Sequence, residues 1–299
     1  MATSFAKVNA PAVKMPGDTS PWVRTLFKVL AYTLLIGFTV IEFVPFIWAL
    51  STSLKPEAEI NAGLGQNFTW LPKSLTLESY TNLFSLDQAP FARWYLNSAI
   101  VGVTTTLLTL FFAATSGYAF ARIPFPGRDF IFLSILGTMM IPGVITIIPI
   151  YILLGKLGLI NSYPGLILPF MVTAFGIFLM RQFFVAIPLE LEEAARVDGA
   201  NRFRTFWQVV MPLARPALSA LTIFTFMGRW NDFLMPLIIV NDKDLYTLPL
   251  GMASFRGLYK TDWGLLMSGS LLIMIPIVIM YVFFQRYFIE GISYTGLKG

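Results

Sequence analysis

Few side chains in this sequence could do chemistry, and their types are restrictive. Among 299 residues there is no His and no Cys. That removes the commonest general base, imidazole-dependent triads, most zinc and haem sites, thiol nucleophiles, iron–sulfur clusters and disulfides. An intramembrane enzyme would have to run on Ser, Lys or Asp. No metal site and no catalytic residue is expected. A glycine-rich turn of the form G-x-x-x-x-G-K-[ST], whose amides would cradle nucleotide phosphates, does not occur either, so any ATP chemistry must belong to another chain. What stands out instead are charges in apolar surroundings. Arg229-Trp230-Asn231-Asp232 interrupts the run between Arg215 and Asp242, and Glu42 is alone between Lys28 and Lys55. A charge at mid-membrane costs roughly 2.5–3.5 kcal/mol on insertion scales, so the Arg229 and Asp232 charges require a partner or water. Three residues apart on a helix, they would share a face and pair. The quartet either stabilises its helix or a contact with a partner chain, or it lines a hydrated path. Glu42 fits neutralisation by protonation or by hydrogen bonding across a bundle better than it fits substrate contact.

The elements that carry these residues are membrane helices. Hydrophobic residues make up 56% of the chain and charged residues 12%, about half the usual roughly 25% of a soluble domain. A helix crossing the hydrocarbon core needs about 20 apolar residues. Stretches between charges predict six spans, approximately 29–52, 96–121, 130–154, 163–184, 216–240 and 264–286. Residues 29–290 thus form an all-α membrane domain, between an N-terminal tail of 1–28, rich in small residues, Lys and Pro, and a C-terminal tail of 291–299. The first span is too long for the apolar core of a secretory signal, which argues for an uncleaved anchor. Basic residues favour the cytoplasmic side. Lys7, Lys14, Arg24, Lys28, Arg122, Arg128, Arg181, Arg196, Arg202, Arg204, Arg215, Arg286 and Lys298 fall on one side of this topology, and the fewer Lys55, Lys73, Arg93, Lys156, Lys243, Arg256 and Lys260 on the other. Both termini are therefore expected inside, and the net charge of +5 needs no nucleic acid to explain it. Internal prolines at Pro45, Pro142, Pro149, Pro169, Pro236 and Pro276 fit either kinked packing or a bundle around a water-lined pathway. Two extracytoplasmic loops carry aromatic side chains that could anchor at headgroups or offer a docking surface: 55–93, with Phe68, Trp70, Leu71 and Pro72, and 242–262, with Tyr246, Phe255, Tyr259 and Lys260.

The longest polar interior segment, 188–212, separates spans four and five. Pro188 followed by Glu190, Glu192 and Glu193 suits a helix start, and Gly199 after Asp198 suits a left-handed C-terminal cap. Asn201 can cap a second helix, in which Phe203, Phe206, Trp207 and Val210 recur at i, i+3, i+4 and i+7 and would define one apolar face. The pattern by itself describes a helix–turn–helix hairpin at the membrane's inner face, equally suited to a surface-lying amphipathic linker.

Glu193-Ala194-Ala195, Gly199 and Val209-x-Met211-Pro212 resemble the EAA loop, E-A-A-x3-G-x9-I-x-L-P, of ABC importer permeases, with Val209 and Met211 in place of Ile and Leu. Further stretches are similar to the maltose-transporter type of sugar permease: Gly117-Tyr-Ala-Phe-Ala-Arg122, Phe125-Pro-Gly-Arg128, Leu157-Gly-Leu-Ile-Asn-Ser162, Trp230-Asn-Asp-Phe233, Tyr246-Thr-Leu-Pro249, Thr261-Asp-Trp-Gly264 and Gly296-Leu-Lys-Gly299. The resemblance implies a six-transmembrane-helix type I ABC importer permease fold with a cytoplasmic coupling-helix hairpin, in a bacterial or archaeal inner membrane. It implies four kinds of partner: a homologous second permease, two ATPase subunits that bind ATP and Mg, an extracytoplasmic substrate-binding protein and a sugar, more an oligosaccharide than a phosphorylated polyol. Glu193, Ala194, Ala195, Asp198, Gly199 and Pro212 would then couple to the ATPase. Arg229, Trp230, Asn231 and Asp232 would line the substrate pathway, with the indole as a platform for a sugar ring. Trp230, Asn231 and Asp232 recur in that family, whereas Arg229 is less typical and would suit an anionic sugar. An ion-coupled secondary transporter, working through Glu42 and Asp232, is the alternative.

Overall fold

A computed structural model describes residues 21–63, 69–86, 89–255 and 261–295, the last ten of these by backbone only. The N-terminal residues 1–20, Phe68, Tyr259, Lys260 and the terminal Gly296-Leu-Lys-Gly299 lie outside the described residues. Among those described, every extended element is helical: α1 (Pro21–Ser53), α2 (Glu57–Gly63), α3 (Glu78–Ser85), α4 (Phe91–Arg122), α5 (Arg128–Thr138), α6 (Gly143–Lys156), α7 (Tyr163–Ile167), α8 (Ala174–Ala186), α9 (Leu189–Val197), α10 (Arg202–Thr205), α11 (Met211–Leu213), α12 (Arg215–Trp230), α13 (Leu234–Ile239), α14 (Leu248–Ala253) and α15 (Trp263–Thr295).

Residues up to Leu50 form one unit and 51–299 a second. In the first, α1 begins at Pro21, so part of the expected tail is helix. Its apolar side chains, among them Leu26, Phe38 and Phe43, are exposed, as is Glu42. A helix apolar all round suits lipid or other membrane helices rather than water.

The second unit is organised on α4, which packs along α8 and α12, while α12 packs along α15. The buried stripe of α4 runs Asn97, Ser98, Val101, Gly102, Thr105, Thr106, Thr109, Ala113, Ala114 and Gly117, at the three- and four-residue spacing of one helix face. Small residues on such a stripe let helix backbones approach closely in lipid, where there is no hydrophobic drive to bring them together. A methyl group on Gly117 would lie 2.8 Å from Met180 Cβ and 2.9 Å from the Arg181 amide nitrogen, so α8 leaves no room for one. Two hydroxyls in the stripe bond to backbone carbonyls: Thr106 to Gly102 at 2.7 Å and Thr109 to Phe170 at 3.2 Å.

Among the described residues three helices are long and apolar enough to cross a membrane, α1, α4 and α15, and up to six spans result if each of three bent pairs counts as one. The α5–α6 pair turns by 100°, α8 meets the run Tyr163–Phe170 at 44°, and α12 meets Arg202–Leu213 at 75°. Spans expected as single helices over 130–154 and 163–184 are therefore broken. Pro142 supplies one break, because it has no N–H to donate and disfavours helical geometry at Ile141. The span expected over 216–240 is also interrupted: α12 stops at Trp230, and α13 resumes only at Leu234. Pro45, Pro149 and Pro276, by contrast, sit inside helices.

The two loop surfaces divide. Trp70 and Leu71 are exposed, with the Trp70 carbonyl accepting a hydrogen bond from the Ser51 hydroxyl. Phe255 is instead buried and packs on Trp94, as does half-buried Tyr246. Segment 241–248 is fastened to α4. Asn97 donates to the Asp244 and Tyr246 carbonyls at 2.8 Å each and accepts from the Tyr163 hydroxyl at 2.6 Å; Trp94 Nε1 donates to the Lys243 carbonyl at 2.8 Å.

Candidate functional site

Two regions hold the residues singled out from the sequence. The first is the hairpin. Helix α9 starts directly after Pro188, and Asp198 closes it. Its end is made by the Ala200 amide donating to the Ala195 carbonyl at 2.9 Å, which Gly199 permits by adopting φ +83°. A β-carbon is disfavoured in that left-handed conformation. Asn201 then caps the next helix, its side chain accepting from the Arg204 amide at 2.8 Å. The turn and the cap fall where the residue types put them. The expected single apolar face does not form. Phe206 and Val210 enter the core with Tyr118, Met180 and Phe184, whereas Phe203 is 72% exposed and Trp207 41% exposed. The winding widens to a π-turn over Phe206–Val210, which rotates residues relative to an α-helical wheel and splits the stripe.

On the outside of the hairpin lie Glu193, Ala194, Val197, Asp198, Gly199 and Pro212, all exposed, with Ala195 half-buried. Val197, at 88% exposure, is an apolar side chain with no cover from this chain. Phe203 and Trp207, whose ring centroids are 6.2 Å apart, are exposed as well, so the hairpin leaves several apolar side chains uncovered.

The inside of the hairpin is held by residues outside the set expected to couple to the ATPase. Glu192, not Glu193, is the buried acid, at 4% exposure. Its Oε1 accepts from Arg122 Nε at 2.6 Å, and its Oε2 accepts from the Tyr118 hydroxyl at 2.9 Å. Arg122 Nη2 donates to the Ile187 carbonyl at 2.5 Å, just past the end of α8. Arg122 and Tyr118 were visible only within the motif Gly117–Arg122; a Tyr and an Arg four apart at the end of a long apolar helix was the available signal.

The second region is the Arg229–Asp232 turn. The ion pair exists, with Arg229 Nη1 3.1 Å from Asp232 Oδ2, but it closes the end of α12 rather than lying along one continuous helix. The guanidinium also sits over the Phe170 ring, 4.1 Å from its centroid. Asp232 Oδ1 accepts from the Met235 amide at 3.3 Å, and Asn231, exposed, donates from its side chain to the Met227 carbonyl at 3.0 Å. Trp230 departs from the sequence reading. Its indole is 1% exposed, stacked on Phe226 and edge-on to Tyr95, with Nε1 donating to the Ile273 carbonyl at 3.0 Å. A ring enclosed in this way offers no platform to a sugar; it joins α4, α12 and α15. Beside Arg229 a cavity is lined by Phe170, Thr173, Phe175, Phe224, Thr225 and Gly228.

Known proteins share both the pattern and the fold. Residues 110–294 match the family described as binding-protein-dependent transport system inner membrane component. The arabinooligosaccharides transport system permease protein AraQ of Bacillus subtilis (strain 168) is 37% identical over 276 residues, which is 91% of this chain and 98% of that protein. The diacetylchitobiose uptake system permease protein NgcG of Streptomyces coelicolor is 36% identical over 271 residues, 89% of this chain and 88% of that one. Among solved structures, a chain of a bacterial ABC transporter involved in the import of the acidic polysaccharide alginate superposes with a TM-score of 0.79 at 25% identity, covering 90% of this chain and 99% of its own.

Proposed function

Because the chain belongs to the family of binding-protein-dependent transport system inner membrane components, we propose that it forms half of the transmembrane pathway of an ATP-driven importer for a sugar, in particular an oligosaccharide. The observation that carries the substrate class is the 37% identity, along 98% of its length, to a permease named for arabinooligosaccharides. An extracytoplasmic binding protein delivers the sugar, a second homologous permease completes the pathway, and two separate ATPase subunits bind ATP and Mg and hydrolyse the nucleotide. Both termini lie in the cytoplasm, following the Lys and Arg bias, and the 188–212 hairpin faces the ATPase. Its exposed Glu193, Ala194, Val197, Phe203 and Trp207 supply a small, apolar, acid-rimmed contact surface for that subunit.

Two features favour an uncharged sugar. Asp232 already neutralises Arg229, and Phe170 covers the guanidinium, so Arg229 is not a free cation for a carboxylate or phosphate. Membership of a binding-protein-dependent transport family disfavours a secondary transporter. Arg229, Asn231 and Asp232 remain the residues proposed for the pathway, with Trp230 holding their turn in place. Thermal-shift screening of the cognate binding protein tests the substrate class. A large upward shift with arabino- or chito-oligosaccharides is expected. Shifts confined to sugar phosphates or uronic acids would move the substrate to the anionic class, and a strong shift with an amino acid, metal or inorganic phosphate and none with sugars would overturn the reading.

A further inference from the structure

Helix α9 is nine residues long and most of its side chains face outward, so something other than its own hydrogen bonds must fix its position. The Glu192 carboxylate does this from beneath. Both of its oxygens are engaged by α4 side chains, Arg122 and Tyr118, and the same guanidinium reaches the carbonyl of Ile187 where α8 ends. One cation thus ties together α9, α8 and α4. The side chains of Arg122 and Glu192 are 13% and 5% exposed, so the bonds are charge-assisted and shielded from water. Arg196 adds a weaker bond from Nε to the Glu192 carbonyl at 3.4 Å. Above this point α4 and α8 approach closely at Gly117, where a β-carbon would lie 2.8 Å from Met180 Cβ and 2.9 Å from the Arg181 amide nitrogen. A push on α9 is therefore received by a helix of 32 residues, α4, whose other end holds segment 241–248 through Asn97 and Trp94.

Resting on the permease reading above, we infer that Glu192, Arg122 and Tyr118 are the positioning residues that make α9 and α4 move as one body, so that they set how much transport each ATP delivers rather than whether the chain folds. At the turn, by contrast, no atom lies within 4 Å of where a Gly199 β-carbon would sit.

The native sequence has no Cys, so a pair of spin labels can be placed at Glu190→Cys on α9 and Val103→Cys on α4, both exposed. The full complex, with cysteine-free partner permease and ATPase subunits, is measured by double electron–electron resonance without nucleotide and trapped with ATP and vanadate. One narrow distance distribution, the same in both states, is expected. With Glu192→Gln the vanadate-trapped distribution should broaden or shift, assembly and basal ATP hydrolysis should persist, and arabinotriose transported per ATP should fall roughly tenfold, the scale of losing a charge-assisted bond. Tyr118→Phe keeps the ion pair and should show the same change in smaller degree. It also decides the matter if Glu192→Gln fails to assemble. Unchanged distances and unchanged transport per ATP in the assembled variants would overturn the inference, as would an equal loss of basal hydrolysis and transport, which is what a folding role produces. If the unsubstituted complex takes up no sugar with ATP, the permease reading itself fails, and the wild-type control alone reports that.

Discussion

Gly199 adopts φ +83°, and no atom lies within 4 Å of the place where its β-carbon would sit. Substitution there meets backbone strain alone, about 1–2 kcal/mol, which a folded membrane domain tolerates. Gly199→Val should leave the permease inserted and paired with its homologue, yet abolish ATP hydrolysis stimulated by the loaded binding protein. Co-purification of the ATPase subunits with an ATPase assay in liposomes checks this; stimulation at the wild-type level would show that the turn is not the coupling element. Trp230 behaves oppositely. With its indole enclosed by Phe226, Tyr95 and the Ile273 carbonyl, Trp230→Ala should cost about 3–5 kcal/mol and reduce the amount of folded permease in the membrane. Normal yield with defective uptake would return the indole to the substrate path. For the paired charges, Arg229→Ala strands a half-buried carboxylate. It should lower the melting temperature of the purified complex at least as much as Arg229→Ala/Asp232→Ala, because removing one partner of a buried pair costs about 3–5 kcal/mol and removing both costs less. Losses that simply add would argue against pairing. In the sequence Trp230 and Asp232 look alike, two residues of one motif; only tertiary packing separates the enclosed ring from the half-exposed acid.

Helices whose character is set by long apolar runs were legible: α4 and α15 follow from gaps between charges, and α1 from a gap that only Glu42 interrupts. The hairpin was legible for a different reason, since Pro188, Gly199 and Asn201 each act through local backbone geometry that needs no distant partner. Breaks at proline were not. Pro149 and Pro276 remain within helices while Pro142 stands in the break before α6, and tolerance of an internal proline depends on whether neighbouring groups satisfy the freed carbonyls. The π-turn at Phe206–Val210 likewise could not be read from a 3.6-residue period, and it is what leaves Phe203 and Trp207 outside the core. The crossing of α4 and α8 depends on absent side chains at Gly117 and Gly176. Gly117→Leu should force the two helices apart at a cost of about 1–3 kcal/mol or more, seen as a lower unfolding temperature of the detergent-solubilised complex. An unchanged transition would mean that the close approach is not a property of the folded protein.

At the scale of the molecule, the division of labour follows from what this chain contains. A buried scaffold around α4 joins a hairpin at one end to the 241–248 segment at the other, and the chain's sequence carries no phosphate-binding loop with which to drive it. Membership of a binding-protein-dependent transport family accounts for the apolar faces left open on α1 and on the hairpin, which suit contacts with lipid and with other subunits. The most direct measurement is uptake of the labelled sugar bound by the cognate binding protein into proteoliposomes containing this permease, its homologous partner and the ATPase subunits, with the binding protein on the opposite face from ATP. Accumulation that requires ATP, the ATPase subunits and the binding protein together is the predicted result. Uptake that proceeds without ATP, driven by a proton or sodium gradient, would contradict it.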